Sequence, residues 1–257
     1  MSRDEKNLTT MYGDEDLSLS PLFQGGFINF GYWEKLSPSL TPEERLKASQ
    51  ALYHQIFKRL DLKNHETVLE VGCGRGLGCQ LLKAQHSGKV VGIDVTPAQI
   101  ERARSLNLGI EFVESSAEAL AFASGSFDAI YSVEAAQHFL SFEAFAKEAH
   151  RVLAACGKLV VTTFFAEDAS TIAPLEKLIP TIGQKIDRVI PLDNAVNALN
   201  QAGFEAVQIE RIGEWVWEGF DRWMAQRVST ETWGRHWKTA YQNQWLDYFI
   251  LCCEKEQ

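Results

Sequence analysis

Thr67-Val68-Leu69-Glu70-Val71-Gly72-Cys73-Gly74-Arg75-Gly76 is the stretch from which the fold can be read. Thr67 to Val71 is rich in β-branched residues, which suits a parallel strand buried on both faces. Gly72, Gly74 and Gly76 alternate with side-chain-bearing residues. Lacking Cβ atoms, they let the chain turn through backbone angles closed to other residues and let a ligand come close to the main chain. The following helix, predicted over Leu77 to Gln85, would offer its unpaired first N–H groups at that turn. A nucleotide-type site follows from this order of strand, glycines and helix.

The spacing narrows the nucleotide. A dinucleotide fingerprint, G-x-G-x-x-G/A, wants a small residue at position 77 to close helix against strand beneath a pyrophosphate, and Leu77 stands there. A second strand, Lys89-Val90-Val91-Gly92-Ile93-Asp94, ends in an acid about twenty residues beyond the glycines, where a carboxylate accepts both ribose hydroxyls. A ribose reader without a pyrophosphate cradle suits S-adenosylmethionine. That molecule carries ribose and adenine but no phosphate, and its ammonium group suits Glu70 and the Gly72 carbonyl.

The chain resembles the class I S-adenosylmethionine-dependent methyltransferases, in particular the small-molecule branch of quinone, sterol and natural-product enzymes. Four segments in register carry the resemblance: Glu70 to Gly76; Gly92-Ile93-Asp94; Ser116-Ala117-Glu118-Ala119-Leu120 with Gly125-Ser126-Phe127-Asp128; and Ser132-Val133-Glu134-Ala135-Ala136-Gln137-His138-Phe139. The resemblance implies an α/β fold: a doubly wound, Rossmann-like, mostly parallel seven-stranded sheet with an antiparallel last strand and a helical, aromatic lid. It implies S-adenosyl-L-methionine as donor and S-adenosyl-L-homocysteine as product. The cofactor contacts it implies are Glu70, Gly72, Cys73, Gly74, Asp94, Val95, Gln99, Ser116, Ala117, Glu118 and Val133. Many relatives hold an aspartate where Ser116 stands, and serine accepts a hydrogen bond from adenine more weakly than a carboxylate does.

At 257 residues one α/β domain with decorations is expected. We divide the chain into an N-terminal arm or lid, 1–40, and a methyltransferase domain, 41–257, with lid insertions near 166–191 and 212–245. The formal charge of −9 and the lack of a basic stripe argue against a nucleic-acid partner. No apolar run approaches the roughly 20 residues of a membrane span, and Met1 to Thr10 is too polar for a signal peptide. A cytoplasmic location and a small-molecule substrate are expected. The five cysteines show no paired metal-ligand spacing, so no metal is expected. Cys73 reads as a small filler in the glycine turn rather than a reactive thiol.

Along the chain, Phe23 to Trp33 is aromatic and glycine-rich and cannot be a regular helix. By resemblance Tyr32 or Trp33 covers the methionine end of the cofactor; alternatively Phe27, Phe30, Tyr32 and Trp33 pin the arm to the core. Thr41-Pro42-Glu43-Glu44 is a capping box opening a helix to about Leu60, with Leu52, Ile56, Phe57 and Leu60 facing the sheet. Thr96-Pro97-Ala98-Gln99 has the same form, so Gln99 is either a cap or a ribose contact. Further strands are expected at Ile110 to Val113, Phe127 to Ser132, Lys158 to Phe165, around Ala206 to Glu210, and at Leu246 to Cys253. Helices follow Ser141 and span Asp193 to Gln201.

His138 lies past the end of the fourth strand, where open α/β sheets bind ligands, and a histidine can take a proton from an attacking hydroxyl. It is the candidate base; a structural histidine is the alternative. Some relatives carry an acid after the fifth strand as its partner, but Thr163, Phe164 and Phe165 occupy that region. Six of the seven tryptophans fall between Gly213 and Trp245. They would roof an apolar substrate pocket, pack as a helical hairpin on the sheet, or meet in a homodimer contact. The expected reaction moves a methyl group to an O, N or activated C atom of a small apolar or aromatic metabolite. A non-catalytic cofactor-binding protein and an NAD-dependent oxidoreductase are the alternatives.

Overall fold

A computed structural model of the chain describes residue 12 and residues 16–20, 22–106, 109–227 and 233–256. The first half of the arm or lid expected over 1–40 therefore lies mostly outside the described residues. Within that stretch Leu17–Leu19 form one 3-10 turn. Among the described residues, seven strands form one sheet: β1 Val68–Val71, β2 Val90–Asp94, β3 Glu111–Glu114, β4 Phe127–Val133, β5 Leu153–Ala166, β6 Phe204–Arg211 and β7 Leu246–Lys255. Their order is β3-β2-β1-β4-β5-β7-β6. Strands β3 to β5 pair in parallel, and β7 runs antiparallel to both β5 and β6. The doubly wound sheet with a reversed last strand is the architecture expected.

Side chains of successive strand residues point to opposite faces, and the sheet uses both. Val68, Ala129, Tyr131, Val160 and Ile250 pack on one side with α1 (Pro42–Leu60), α2 (Leu77–Lys83) and α3 (Pro97–Ser105). The aromatic hairpin α8 (Gly213–Ala225) and α9 (Trp233–Gln242) shares that side. Leu69, Ile130, Leu159, Val161 and Leu251 pack on the other with α4 (Phe142–Val152) and α7 (Leu192–Ala202). Strands covered on both faces need largely apolar runs; β1 is apolar apart from the buried Glu70, and β4 apart from the exposed Asp128 and the buried Tyr131 and Ser132.

The Thr41 capping box forms as expected: the Glu44 amide donates to Thr41 Oγ1 at 3.2 Å and the Thr41 amide to Glu44 Oε2 at 2.8 Å. The second one does not. Thr96 makes no side-chain cap, because Asp94 Oδ1 takes the Thr96 amide at 2.8 Å and the Gln99 amide group turns elsewhere. Strand β5 begins at Leu153 rather than at the expected Lys158, so Cys156 and Gly157 lie inside it. Cys156 there adopts φ 59°, beside a register shift against β4.

The insertion 166–191 folds as α5 (Ile172–Leu178) and α6 (Pro180–Gly183), and its return places Ile186 and Asp187 over the carboxyl end of β4. The arm is held by Arg45 of α1, which is fully buried. Its guanidinium donates to the Asn29 and Leu22 carbonyls and to Ser49 Oγ and lies near the rings of Phe23, Trp33 and Phe220. Phe30 sits at the hub of the aromatic core, with ring contacts to Phe164, Trp217, Phe220, Trp237 and Tyr248.

Candidate active site

Strand order reverses between β1 and β4, which opens a crevice at their carboxyl ends where ligands of open α/β sheets bind. A cavity of about 180 Å³ occupies it, lined by Tyr12, Phe27, the glycine turn, Asp94 to Thr96, Gln99, Ser115 to Glu118, Val133 to Ala135 and His138. Gly72, Gly74 and Gly76 have φ of 76°, 52° and 81°, the region that favours glycine. A Cβ on Gly72 would run into Ala135, whereas no atom of the described residues lies within 4 Å of where one on Gly74 would sit. The first glycine thus lets two strand ends meet, and the second leaves its backbone open to the cavity.

Asp94 is anchored rather than diverted. Its Oδ2 accepts the Gly74 amide at 2.9 Å and its Oδ1 the Thr96 amide. Burial raises its pKa and those amides oppose the rise. Gln99 Nε2 donates to the Tyr12 carbonyl at 3.0 Å, while Gln99 Oε1 is buried without a partner among the described residues. Ser116 Oγ donates to Glu118 Oε2, and Glu118 Oε1 accepts the Leu140 amide at 2.6 Å.

Of the residues named from sequence, Gly72, Cys73, Gly74, Asp94, Val95, Gln99, Ser116, Ala117, Glu118, Val133 and His138 line this one cavity. Two do not. Glu70 is buried behind the turn, its carboxylate accepting the hydroxyls of Tyr131 at 2.9 Å and Tyr53 at 3.3 Å; burial pushes it up to about 7. It supports the strand beneath the glycines rather than facing the cavity. Tyr32 points outward and stacks on Trp215, 5.6 Å between ring centroids; Tyr12 and Phe27 line the cavity in its place. Burial pushes the Cys73 thiol up to about 11, so it is a neutral filler.

His138 has two dissimilar sides. Its Nδ1 lies 2.9 Å from the Ile186 carbonyl and 3.5 Å from Asp187 Oδ1. Both partners only accept, so the proton is assigned to Nδ1. Nε2 faces two donors, the Tyr12 hydroxyl at 3.0 Å and Gln137 Nε2 at 3.4 Å. The acid missing after the fifth strand is supplied by Asp187, from the 166–191 insertion. Its own pKa is raised by burial, with His138 pulling the other way.

Sequence reasoning also passed over Glu134. With φ 48°, it turns its carboxylate between the main cavity and a smaller one, and Oε1 accepts the Phe30 amide and the Tyr248 hydroxyl, each at 2.7 Å. Burial pushes it up to about 8. The signal was an acid within Ser132 to Phe139, directly after the buried carboxyl half of β4.

Residues 69–161 match the family model described as a methyltransferase domain. The chain is 30% identical over 221 residues to the erythromycin 3''-O-methyltransferase of Saccharopolyspora erythraea, covering 78% of this chain and 69% of that one. The chain belongs to the class I S-adenosylmethionine-dependent methyltransferases. A second member of this methyltransferase family, O-methyltransferase cnsE of Penicillium expansum, is 28% identical over 210 residues, 79% of this chain and 74% of that one. The fold superposes on geranyl diphosphate C-methyltransferase from Streptomyces coelicolor with a TM-score of 0.81, 12% identity and coverage of 99% and 98%.

The cavity suits the methyl donor of this family on two observations. Gln99 Oε1, buried and unpartnered among the described residues in the cavity that Asp94 also lines, lacks a donor that a ribose hydroxyl would provide. The bare backbone at Gly74 leaves room for a ligand against the turn.

Proposed function

We propose that this methyltransferase acts on a hydroxyl group of a small aromatic or apolar metabolite, with His138 as general base. The observation that carries the reading is the two-sided setting of the imidazole. Acceptors at Nδ1 fix the tautomer, and Nε2 is left basic at the edge of the cavity. When bound, S-adenosylmethionine supplies a methyl group already activated on a sulfonium. Asp94, Gln99, the glycine turn and Ser116 to Glu118 would hold it.

The chain's own task is then positioning and proton removal. Nε2 takes the acceptor's proton, and Asp187 beside Nδ1 stabilises the imidazolium that results. The Tyr12 hydroxyl occupies Nε2 in this structure; an acceptor hydroxyl either replaces it or passes its proton through it. Aromatic walls hold the acceptor and exclude water, so orientation contributes several kcal/mol on the order known for intramolecular reactions.

The division into an arm (1–40) and a catalytic domain (41–257) belongs to the same proposal. It is supported by Tyr12, Asp187 and Trp237, which the arm and the two insertions bring to one place. The acidic balance of the chain favours a small-molecule acceptor over a nucleic acid and is compatible with the cytoplasm. Among the described residues no helix is long and apolar enough to cross a membrane.

The test is His138→Gln. Turnover of phenolic acceptors with S-adenosylmethionine should fall at least about 100-fold while S-adenosylhomocysteine binds within about threefold of wild type. Undiminished turnover would refute the base.

A further inference from the structure

Behind His138 lies a second, smaller cavity of about 50 Å³. A water's share of liquid volume is about 30 Å³, so this space takes one substituent of a molecule rather than a whole metabolite. Its walls are largely aromatic, with Phe23, Phe30, Phe164 and Trp237 around it; Tyr12, Ile28, Glu134 and His138 also line the main cavity, and Asp187 lines this one.

Most polar groups here are matched within the protein. Glu134 Oε1 takes the Phe30 amide and the Tyr248 hydroxyl. Gln137 donates to the Glu134 carbonyl at 2.8 Å and accepts from Thr163 Oγ1 at 2.7 Å. Three atoms are left over. Asn29 Oδ1, Trp237 Nε1 and Thr181 Oγ1 are buried with no partner among the described residues, the first two on residues only 2% exposed.

The Asn29 oxygen is an acceptor without a donor, the Trp237 N–H a donor without an acceptor, and the Thr181 hydroxyl can serve as either. A buried polar atom left unmatched costs about 1 to 3 kcal/mol, and such groups in native structures call for a cause. The groups around them are fixed: Asn29 is held through Nδ2 on the Ser49 carbonyl and through its own carbonyl on Arg45. Trp237 lies against Phe164 at 4.6 Å and is stacked on Trp217 at 5.9 Å with the rings nearly parallel.

We infer that this cavity is a specificity subsite that reads a second hydroxyl on the acceptor, distinct from the one methylated. A hydroxyl is the smallest neutral group that both donates, as Asn29 Oδ1 requires, and accepts, as Trp237 Nε1 requires. The aromatic walls suit a ring carrying it. The inference rests on the reading of His138 as the place where the acceptor is deprotonated, and it narrows the substrate class to diols or diphenols. A substrate lacking the second hydroxyl leaves Asn29 Oδ1 and Trp237 Nε1 unmatched, the situation in which binding sites discriminate most strongly.

The three benzenediols and the three cresols form pairs that differ only by hydroxyl against methyl. Calorimetric titration of the S-adenosylhomocysteine-loaded protein should show at least one diol binding about tenfold more tightly than its cresol partner. In Asn29→Leu that ratio should collapse to within about twofold, and Trp237→Phe, which keeps an aromatic ring in place, should reduce it likewise. In His138→Gln the preference should persist although methyl transfer is lost, which separates failure of the base from failure of the subsite. Equal binding in all three pairs, a preference that survives in both subsite variants, or no saturable binding by any diol overturns the inference.

Discussion

In the proposed reading, His138 acts as a base only through residues far from it in the chain. Ile186 and Asp187 fix its proton from an insertion nearly fifty positions later, and Tyr12 reaches it from the arm. Asp187→Asn should lower kcat about tenfold, leaving KM for the donor within about twofold; an unchanged kcat would reduce Asp187 to packing. Ser116 allows a sharper test. Because its hydroxyl donates to Glu118, Ser116→Asp sets two carboxylates together. S-adenosylhomocysteine should then bind about tenfold more weakly, and Ser116→Asp with Glu118→Gln should recover most of that loss. Failure of the double variant to recover would place the effect elsewhere. Asp94 and the glycines were legible because their chemistry is written in local spacing. Gln99 was ambiguous because a capping box and a ribose contact share one pattern, and the Thr96 amide went to Asp94 instead. Tyr12 and Asp187 left no such trace, and Glu134 only its position after β4, since their partners are set by tertiary contact.

The glycine turn and the end of β4 work as one element, and its glycines are not equivalent. Gly72→Ala drives a methyl into Ala135 and should cost roughly 2 to 4 kcal/mol of stability. Gly74→Ala meets no atom of the described residues and should cost only about 1 kcal/mol while weakening S-adenosylhomocysteine binding. Urea unfolding and calorimetry on both variants separate the two effects, and equal stability losses would contradict the division. Glu134 makes this element sensitive to pH. In the fold it keeps its proton up to about 8, against 4.5 for an ordinary glutamate. Between those values the folded state binds more protons than the unfolded one, so this group's stabilising contribution is present at low pH and declines as pH rises through that window. Glu134→Gln should flatten the decline, and its unfolding midpoint relative to wild type should improve from pH 5 to pH 8. Parallel pH profiles would show that the carboxyl ionises normally. The helix starts were readable when the cap was real, as at Thr41, since a capping box needs only four residues.

Across the whole molecule, the sheet order follows from strands whose apolar runs require cover on both faces. The reversed β7 came from resemblance rather than from any local pattern. The tryptophans behave mainly as packing: Trp217 and Trp223 are sealed in the core, Trp215 stands half-exposed against Tyr32, and Trp237 alone among these four lines the small cavity. Composition announced an aromatic mass but could not say which ring would face a ligand, because that depends on how the α8–α9 hairpin docks on Phe30. The organisation converges on the switch point, where Asp94 and the glycine bend meet the arm and both insertions. Calorimetric titration of S-adenosylhomocysteine into the wild-type protein and into Asp94→Ala tests this most directly. We expect saturable one-to-one binding by wild type, weakened at least about thirtyfold, or roughly 2 kcal/mol, in the variant. Equal affinity in the two proteins, or no binding by wild type, would contradict it.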